Sequence, residues 1–315
     1  MNPVNPPAAA EGRAETVRQW RPSLVNLRPL LRRALFVVLL LVTLALIWEG
    51  LKWVGGNPWR PETNPLGIAH DPPLRLKVAS DLNLPHLWDI AAAFGNPARR
   101  NGPPLGQILF DASLFTFREA VVGFFLGGLL GFFLGVLFAH VGLLEQGCMP
   151  YVVASQTIPI LAIAPMVIIW LKAGWISVAV IAAYLTFFPV TINTLRGLRS
   201  PDPMAVELMH SYAASRWDTL WKLRVPAALP YIFTALKLSA TASVVGAIIG
   251  ELPSGIRDGL GGAILNFNSY YISGPSRLWA AVIASAFVGI GFYLLVTLVE
   301  VLVLRSRPLA NGQGG

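Results

Sequence analysis

Residues 207–230 read ELMHSYAASRWDTLWKLRVPAALP, a charged, amphipathic run closed by prolines and set between long apolar stretches. The neighbours decide what it is. Six stretches, at about 34–54, 119–139, 150–171, 175–195, 229–250 and 278–304, are each long and apolar enough to cross a bilayer. A crossing takes roughly 20 apolar residues for about 30 Å of hydrocarbon, because only a helix satisfies its own backbone hydrogen bonds there. Of 315 residues, 55% are apolar and 13% charged, with a mean hydropathy of +0.60, a balance that excludes an ordinary soluble domain. The expectation is an all-α membrane protein of six transmembrane helices, with 207–230 inside a helix-turn-helix island between the fourth and fifth.

Charge sets the orientation. Arg13, Arg18, Arg21, Arg28, Arg32 and Arg33 precede the first span, and clustered arginines stay on the cytoplasmic side. Six crossings then return the C-terminus to the cytoplasm, in agreement with Arg305 and Arg307. The net charge of +8 suits anionic lipid rather than nucleic acid. The chain divides into a basic cytoplasmic segment (1–33), a first span with an external proline-rich segment (34–104), a core (105–304) and a tail (305–315). The external part carries nine prolines over 55–104. Leu87, Ile90, Ala91 and Phe94 recur there at helical spacing, as do Leu105, Ile108, Leu109, Ala112 and Phe115, and both predict helices lying on the membrane surface. Trp53, Trp59 and Trp88 fit an interfacial aromatic belt.

Within the spans, Gly123, Gly127, Gly131 and Gly135 fall at a strict spacing of four, lining one helix side for close contact with another helix or a sliding subunit. Pro150, Pro159 and Pro165 each remove a donor from the third span and predict that it kinks or breaks. Gln156 and Thr157, just before Pro159, then face a cavity or a neighbouring helix. Ser239 and Ser243 line the path or bond their own backbone. Glu251 sits near the outer end of the fifth span, where an ionisable group is a functional candidate by default; it contacts the path or pairs with Arg257 or Lys52. Glu300 reads as an anchor near Arg305. The prolines at 201 and 203 open the island's first helix, and Trp217, Leu220 and Trp221 form an apolar stripe on its second.

Other chemistry is unsupported. Cys148 is the one cysteine, His70, His86, His140 and His210 lack metal-ligand spacing, and no GxxxxGK[ST] loop occurs to cradle nucleotide phosphates. No cofactor and no enzymatic activity are expected of this chain.

With these residues in view, the chain resembles the inner-membrane permeases of binding-protein-dependent ABC importers. Glu207, the Ala214-Ser215 turn, Pro226 and Pro230 fall in register with their coupling loop. QTIPILAIAPM at 156–166, FFP at 187–189, NT at 193–194 and Glu251 match further elements, so that the likeness spans about 105–304. It is similar to the nitrate, sulfonate and taurine group, and SVVGAIIGELPSG at 243–255 looks closer to the branch handling riboflavin or thiamine-precursor pyrimidines. Two departures touch the loop: Leu208-Met209 replace a small pair, and Ala213 stands where the family has glycine, which puts the turn geometry in question. Lys172 replaces a family glycine after the third span.

The resemblance implies an ATPase-docking loop at about 204–226 that uses Glu207, Ala213, Ala214, Ser215, Trp217, Trp221, Pro226 and Pro230. It also implies a translocation path touching Gln156, Thr157, Pro159, Pro165, Ser239, Ser243 and Glu251. The implied partners are a separate ATP-binding ABC subunit, which uses the ATP, an external or periplasmic solute-binding protein, a second copy of the permease, and membrane lipid. An ion-gradient-driven secondary transporter is the rival reading.

Overall fold

The computed structural model describes residues 27–305 apart from 63, 66, 99–101 and 173. Arg13, Arg18 and Arg21, and the tail beyond 305 with Arg307, lie outside the described residues. The chain forms two units, 1–50 and 51–315. The first is the body of helix α1 (Leu27–Gly55). Its Leu35–Leu41 stretch exposes a large apolar side chain at every position, as a helix solvated by lipid must.

The second unit holds α2 (Leu87–Gly95), α3 (Leu105–His140), α4 (Gly142–Ser155), α5 (Ile160–Leu171), α6 (Trp175–Leu198), α7 (Pro203–Ser211), α8 (Arg216–Thr219), a π-helical turn (Leu220–Arg224), α9 (Val225–Ser254), α10 (Leu260–Ser269) and α11 (Pro275–Arg305). No strand occurs among the described residues, only two isolated bridges, Trp59 with His70 and Pro97 with Pro104. Five helical runs are long and apolar enough to cross a membrane: Leu35–Gly55, Leu105–His140, Trp175–Leu198, Arg216–Ser254 and Pro275–Leu304. α4 and α5, bent by 99° at their junction, make a sixth if they count as one span. The expected all-α membrane architecture is therefore the observed one.

α6 is the middle of the packing. A Cβ added at Gly123, Gly127 or Gly131 of α3 would lie within 2.6 Å of the α6 carbonyls of Ala179, Ala183 and Phe187, and one at Gly135 within 2.8 Å of Thr191 O. From the other side, a Cβ at Gly246 of α9 would approach Ala182 Cα to 2.9 Å. Three backbones thus run as close as helices can, and the four-residue glycine spacing serves packing within one chain. Ala120, Val178, Ala182, Ala240, Val244 and Ala247 fill the seam, with Phe124 and Phe292 closing it toward α11.

Several expectations need correction. Residues 105–115 do not form a separate surface helix: they are the first turns of α3, whose periodicity runs unbroken into the span. The third span breaks once, at Gln156–Pro159; Pro150 and Pro165 sit inside α4 and α5, because a helix in apolar surroundings tolerates a missing donor when its neighbours carry the packing. Pro189 likewise lies within an uninterrupted α6. Trp53, Trp59 and Trp88 form one cluster with His70 and His86. Trp53 stacks on His70 with centroids 3.6 Å apart, Trp88 stacks on His86 at 4.0 Å, and Trp59 meets all four rings edge-on. Glu300 is an anchor as expected, its partner being Lys237 of α9 at 2.7 Å.

Candidate functional site

Two regions gather the candidate residues, one at each end of α9. At its start is the 202–226 loop. Asp202 caps α7 by accepting from the Met204 N–H at 2.8 Å, with Pro203 at the first helical position, where its missing donor costs nothing. α7 ends as the N–H groups of Ala213 and Ala214 turn back to the carbonyls of His210 and Met209. That closure puts Ala213 in the left-handed region, at φ 51°, the conformation for which glycine is the usual choice. The alanine therefore keeps the turn and carries its strain.

Ser215 starts the next helix. Its Oγ accepts from the Asp218 N–H at 3.1 Å and donates to Asp218 Oδ2 at 2.5 Å, a side-chain cap that satisfies an otherwise unpaired donor. Asp218 also pairs with Lys222 at 2.6 Å. Leu220 points inward onto Leu198, Ala228 and Ile232 and fixes the loop to the bundle.

Five other large apolar groups of the loop are exposed. Met204, Leu208 and Tyr212 form one stripe on α7, 76%, 56% and 78% exposed, and Trp217 and Trp221 a second at 69% and 59%. Glu207 is exposed beside them, Pro226 is half-buried and Pro230 exposed. Two neighbouring stripes of this size mark an interaction surface.

At the far end of α9, Glu251 is 1% exposed. Neither Lys52 nor Arg257 is its partner. Thr116 Oγ1 of α3 donates to Glu251 Oε1 at 2.6 Å, the Gly261 N–H of α10 donates to Oε2 at 2.5 Å, and the Leu260 N–H donates to Thr116 Oγ1 at 2.8 Å. The carboxyl thus receives the N-terminus of α10, where free N–H groups and the helix dipole favour it. Glycines are required around it: a Cβ at 259 would fall 2.3 Å from the carboxyl carbon, and one at 261 would fall 2.7 Å from Glu251 Cβ. Lys52, fully buried, instead binds Asp81 at 2.5 Å and the Leu84 carbonyl at 2.7 Å.

Glu119, equally buried, lies beside Glu251 and was missed in the sequence, as was Thr116. The available signal was Arg118-Glu119, a charged pair at the edge of an apolar run. Ser239 and Ser243 are fully buried, donating to Thr186 O at 3.3 Å and Ala240 O at 2.9 Å, which removes them from any surface a solute touches in this conformation. Gln156 and Thr157 are exposed at the α4–α5 break, with Pro159 preceding α5. Thr157 Oγ1 is used on Ala154 O. Pro165 lies within α5.

Long apolar helices with an exposed apolar loop between two of them define a multi-pass membrane protein. Residues 127–305 match the family described as binding-protein-dependent transport system inner membrane component, and the chain belongs to that family. It is 35% identical over 198 residues to the riboflavin transport system permease protein RibX of Chloroflexus aurantiacus, covering 63% of this chain and 73% of the relative. It is 32% identical over 185 residues to the formylaminopyrimidine transport permease protein ThiX of Halalkalibacterium halodurans, covering 56% and 74%. The nitrate import permease protein NrtB of Leptolyngbya laminosa is 26% identical over 221 residues, covering 70% and 76%.

Proposed function

We propose that this chain is the membrane-spanning subunit of an ATP-driven importer, forming the path for a small nutrient and docking a separate ATPase on its 204–226 loop. The observation that carries the reading is the pair of exposed stripes, Met204-Leu208-Tyr212 and Trp217-Trp221, on a loop otherwise held rigid by the Asp202 and Ser215 caps and by buried Leu220. Such a surface is built to be covered by protein. No phosphate-binding loop of the GxxxxGK[ST] kind lies in these 315 residues, which supports use of the ATP by a partner subunit.

In this reading both termini and the loop face the cytoplasm, and the opposite face receives solute from a binding protein. Two copies of the chain flank a shared path, with Gln156, Thr157 and Pro159 of the α4–α5 break and Pro165 within α5 bordering it, while Glu251, buried against Thr116 and Gly261, supports the outer end of α9 from behind. The substrate is riboflavin or a thiamine-precursor pyrimidine, supported by the names of two relatives; sulfonates, taurine and nitrate come next.

The test is uptake into proteoliposomes containing this chain with its cognate ATPase and binding protein, for the wild type, Glu207→Lys and Trp217→Ala/Trp221→Ala. ATP-dependent accumulation, lost in both variants while their elution and melting stay those of the wild type, is the expected result. Uptake driven by an ion gradient and indifferent to ATP would put a secondary transporter in its place.

A further inference from the structure

A cavity of about 860 Å³ opens where the start of α3, the 257–258 turn, α10 and the start of α11 meet. Five of the polar side chains in its wall are Asp111, Arg257, Asp258, Asn266 and Arg277. Several charges among the described residues pair with each other, as in Lys52–Asp81, Lys222–Asp218 and Lys237–Glu300. Among the described residues, these five make no side-chain hydrogen bond or ion pair within the chain. Five unspent recognition groups converging on one concavity is the pattern of a binding site, not of packing.

The position is wet. α3 has 36 residues, roughly 54 Å of helix at 1.5 Å per residue, against about 30 Å of hydrocarbon. It overhangs the membrane, and Asp111 lies in its first two turns. The cavity is also preorganised: the Glu251 carboxyl and Thr116 hold the α10 N-terminus, so Asn266 and Phe267 are presented from an anchored helix.

The chemistry of the wall selects the ligand. Two guanidinium and two carboxylate groups sum to zero formal charge, so an oxyanion would gain from Arg257 and Arg277 what it loses to Asp111 and Asp258. A neutral molecule with both donors and acceptors meets partners for each, and the Asn266 amide offers one of each kind. Phe115, Phe267 and Tyr270 add aromatic faces, which favour a flat ring. The volume lies within the roughly 300–1,000 Å³ of small-molecule sites and is far larger than nitrate requires.

We propose that this cavity is a substrate-recognition site for a neutral, planar heteroaromatic solute such as a flavin or aminopyrimidine, and that it discriminates against small oxyanions. The proposal rests on the importer reading above, because it assigns that importer's specificity partly to the permease itself.

The test is equilibrium dialysis of the chain in nanodiscs, without ATPase or binding protein, against labelled riboflavin, a formylaminopyrimidine, taurine and nitrate. One of the heterocycles is retained, with flavin fluorescence quenched if it is riboflavin, and taurine and nitrate are not. Asn266→Ala and Tyr270→Ala each weaken retention about tenfold. Asp111→Asn/Asp258→Asn, which leaves the wall with two uncompensated cations, weakens the heterocycle and admits nitrate. All these side chains are at the surface or line an open cavity, so unchanged elution and melting are required of each variant. Retention of nothing, preference for taurine or nitrate by the wild type, or heterocycle retention indifferent to Asn266→Ala and Tyr270→Ala overturns the site. Failure of the site beside intact ATP-driven uptake leaves the importer standing; retention of a heterocycle without ATP-driven uptake in the full assembly removes the importer and keeps the site.

Discussion

Gly127 and Gly128 are adjacent on α3, and the structure assigns them opposite responses to one added methyl group. At Gly127 a Cβ would stand 2.3 Å from Ala183 O and 2.9 Å from Ala183 Cα, whereas ordinary contact begins at 3.4 Å. The obstacle is backbone, so α3 and α6 must part by roughly 1 Å, and that parting is shared by the equally close contacts at Gly123 and Gly131, since interiors pack as rigid bodies. Overpacking of this kind costs up to about 3 kcal/mol, offset by about 1 kcal/mol for replacing glycine in a helix. Gly127→Ala should therefore lose about 2 kcal/mol. At Gly128 the one neighbour within 4 Å is Leu236 Cδ2 at 3.9 Å, so Gly128→Ala pays no clash and gains up to about 1 kcal/mol. Thermal unfolding by intrinsic fluorescence, at one scan rate in one detergent, compares the two. A fall of about 4–8 °C is expected for Gly127→Ala, and no fall for Gly128→Ala. If Gly127→Ala melts at or above Gly128→Ala, the claim that α3 and α6 pack through glycine is wrong.

Ala213→Gly relieves a left-handed alanine worth about 1–2 kcal/mol of strain, less the larger unfolded-state freedom of glycine, for a net gain of up to about 1 kcal/mol; slower amide exchange across 207–219 is the readout, and faster exchange would contradict the turn. Thr116→Val removes a hydroxyl that both donates to Glu251 and accepts from Leu260, leaving buried polar groups unpaired at about 1–3 kcal/mol. Its signature is faster exchange confined to the start of α10, and protection equal to wild type there would refute the assigned clasp.

Much of the architecture was legible because the decisive signals are local. The glycine spacing names a helix side regardless of what lies opposite, whereas the prolines announced a broken third span without saying that only Pro159 of the three would sit at the break. The Asp202–Pro203 and Ser215–Asp218 pairs cap their helices within three residues. What escaped is what depends on distant partners. No helix is legible at 260–269, because Gly259, Gly261 and Gly262 weaken any helical signal; the helix forms there against Glu251 and Thr116, and Gly259 and Gly261 are required by how close that side chain sits. Ion pairing failed for the same reason. Lys52 finds Asp81 and Glu300 finds Lys237 across separations of 29 and 63 residues, and no spacing rule reaches that far. The unspent side chains around the α10 cavity were individually visible, but only the fold brings Asp111 to Arg277.

The helical run from Arg216 to Ser254 joins the two candidate regions without a gap. Its 39 residues amount to roughly 58 Å at helical rise, with Trp217 and Trp221 at one end and Glu251 near the other. Its softness is unevenly distributed. The π-helical turn at Leu220–Arg224 departs from regular pairing, Pro226 and Pro230 withhold donors just beyond it, and Leu220 is seated in the bundle as a pivot. Past Pro230, Gly246 and Gly250 lie so close to α6 that even a methyl group at either would press on Ala182 or Val178, and α6 is gripped as tightly by α3. A force applied to the exposed tryptophans therefore bends 220–230 or moves α3, α6 and α9 together as one block; it cannot slide one of the three against the others. Opening and closing within this chain must then fall at the edges of the block. One such edge is the α4–α5 bend, where Gln156 and Thr157 stand exposed between two helices set at 99°.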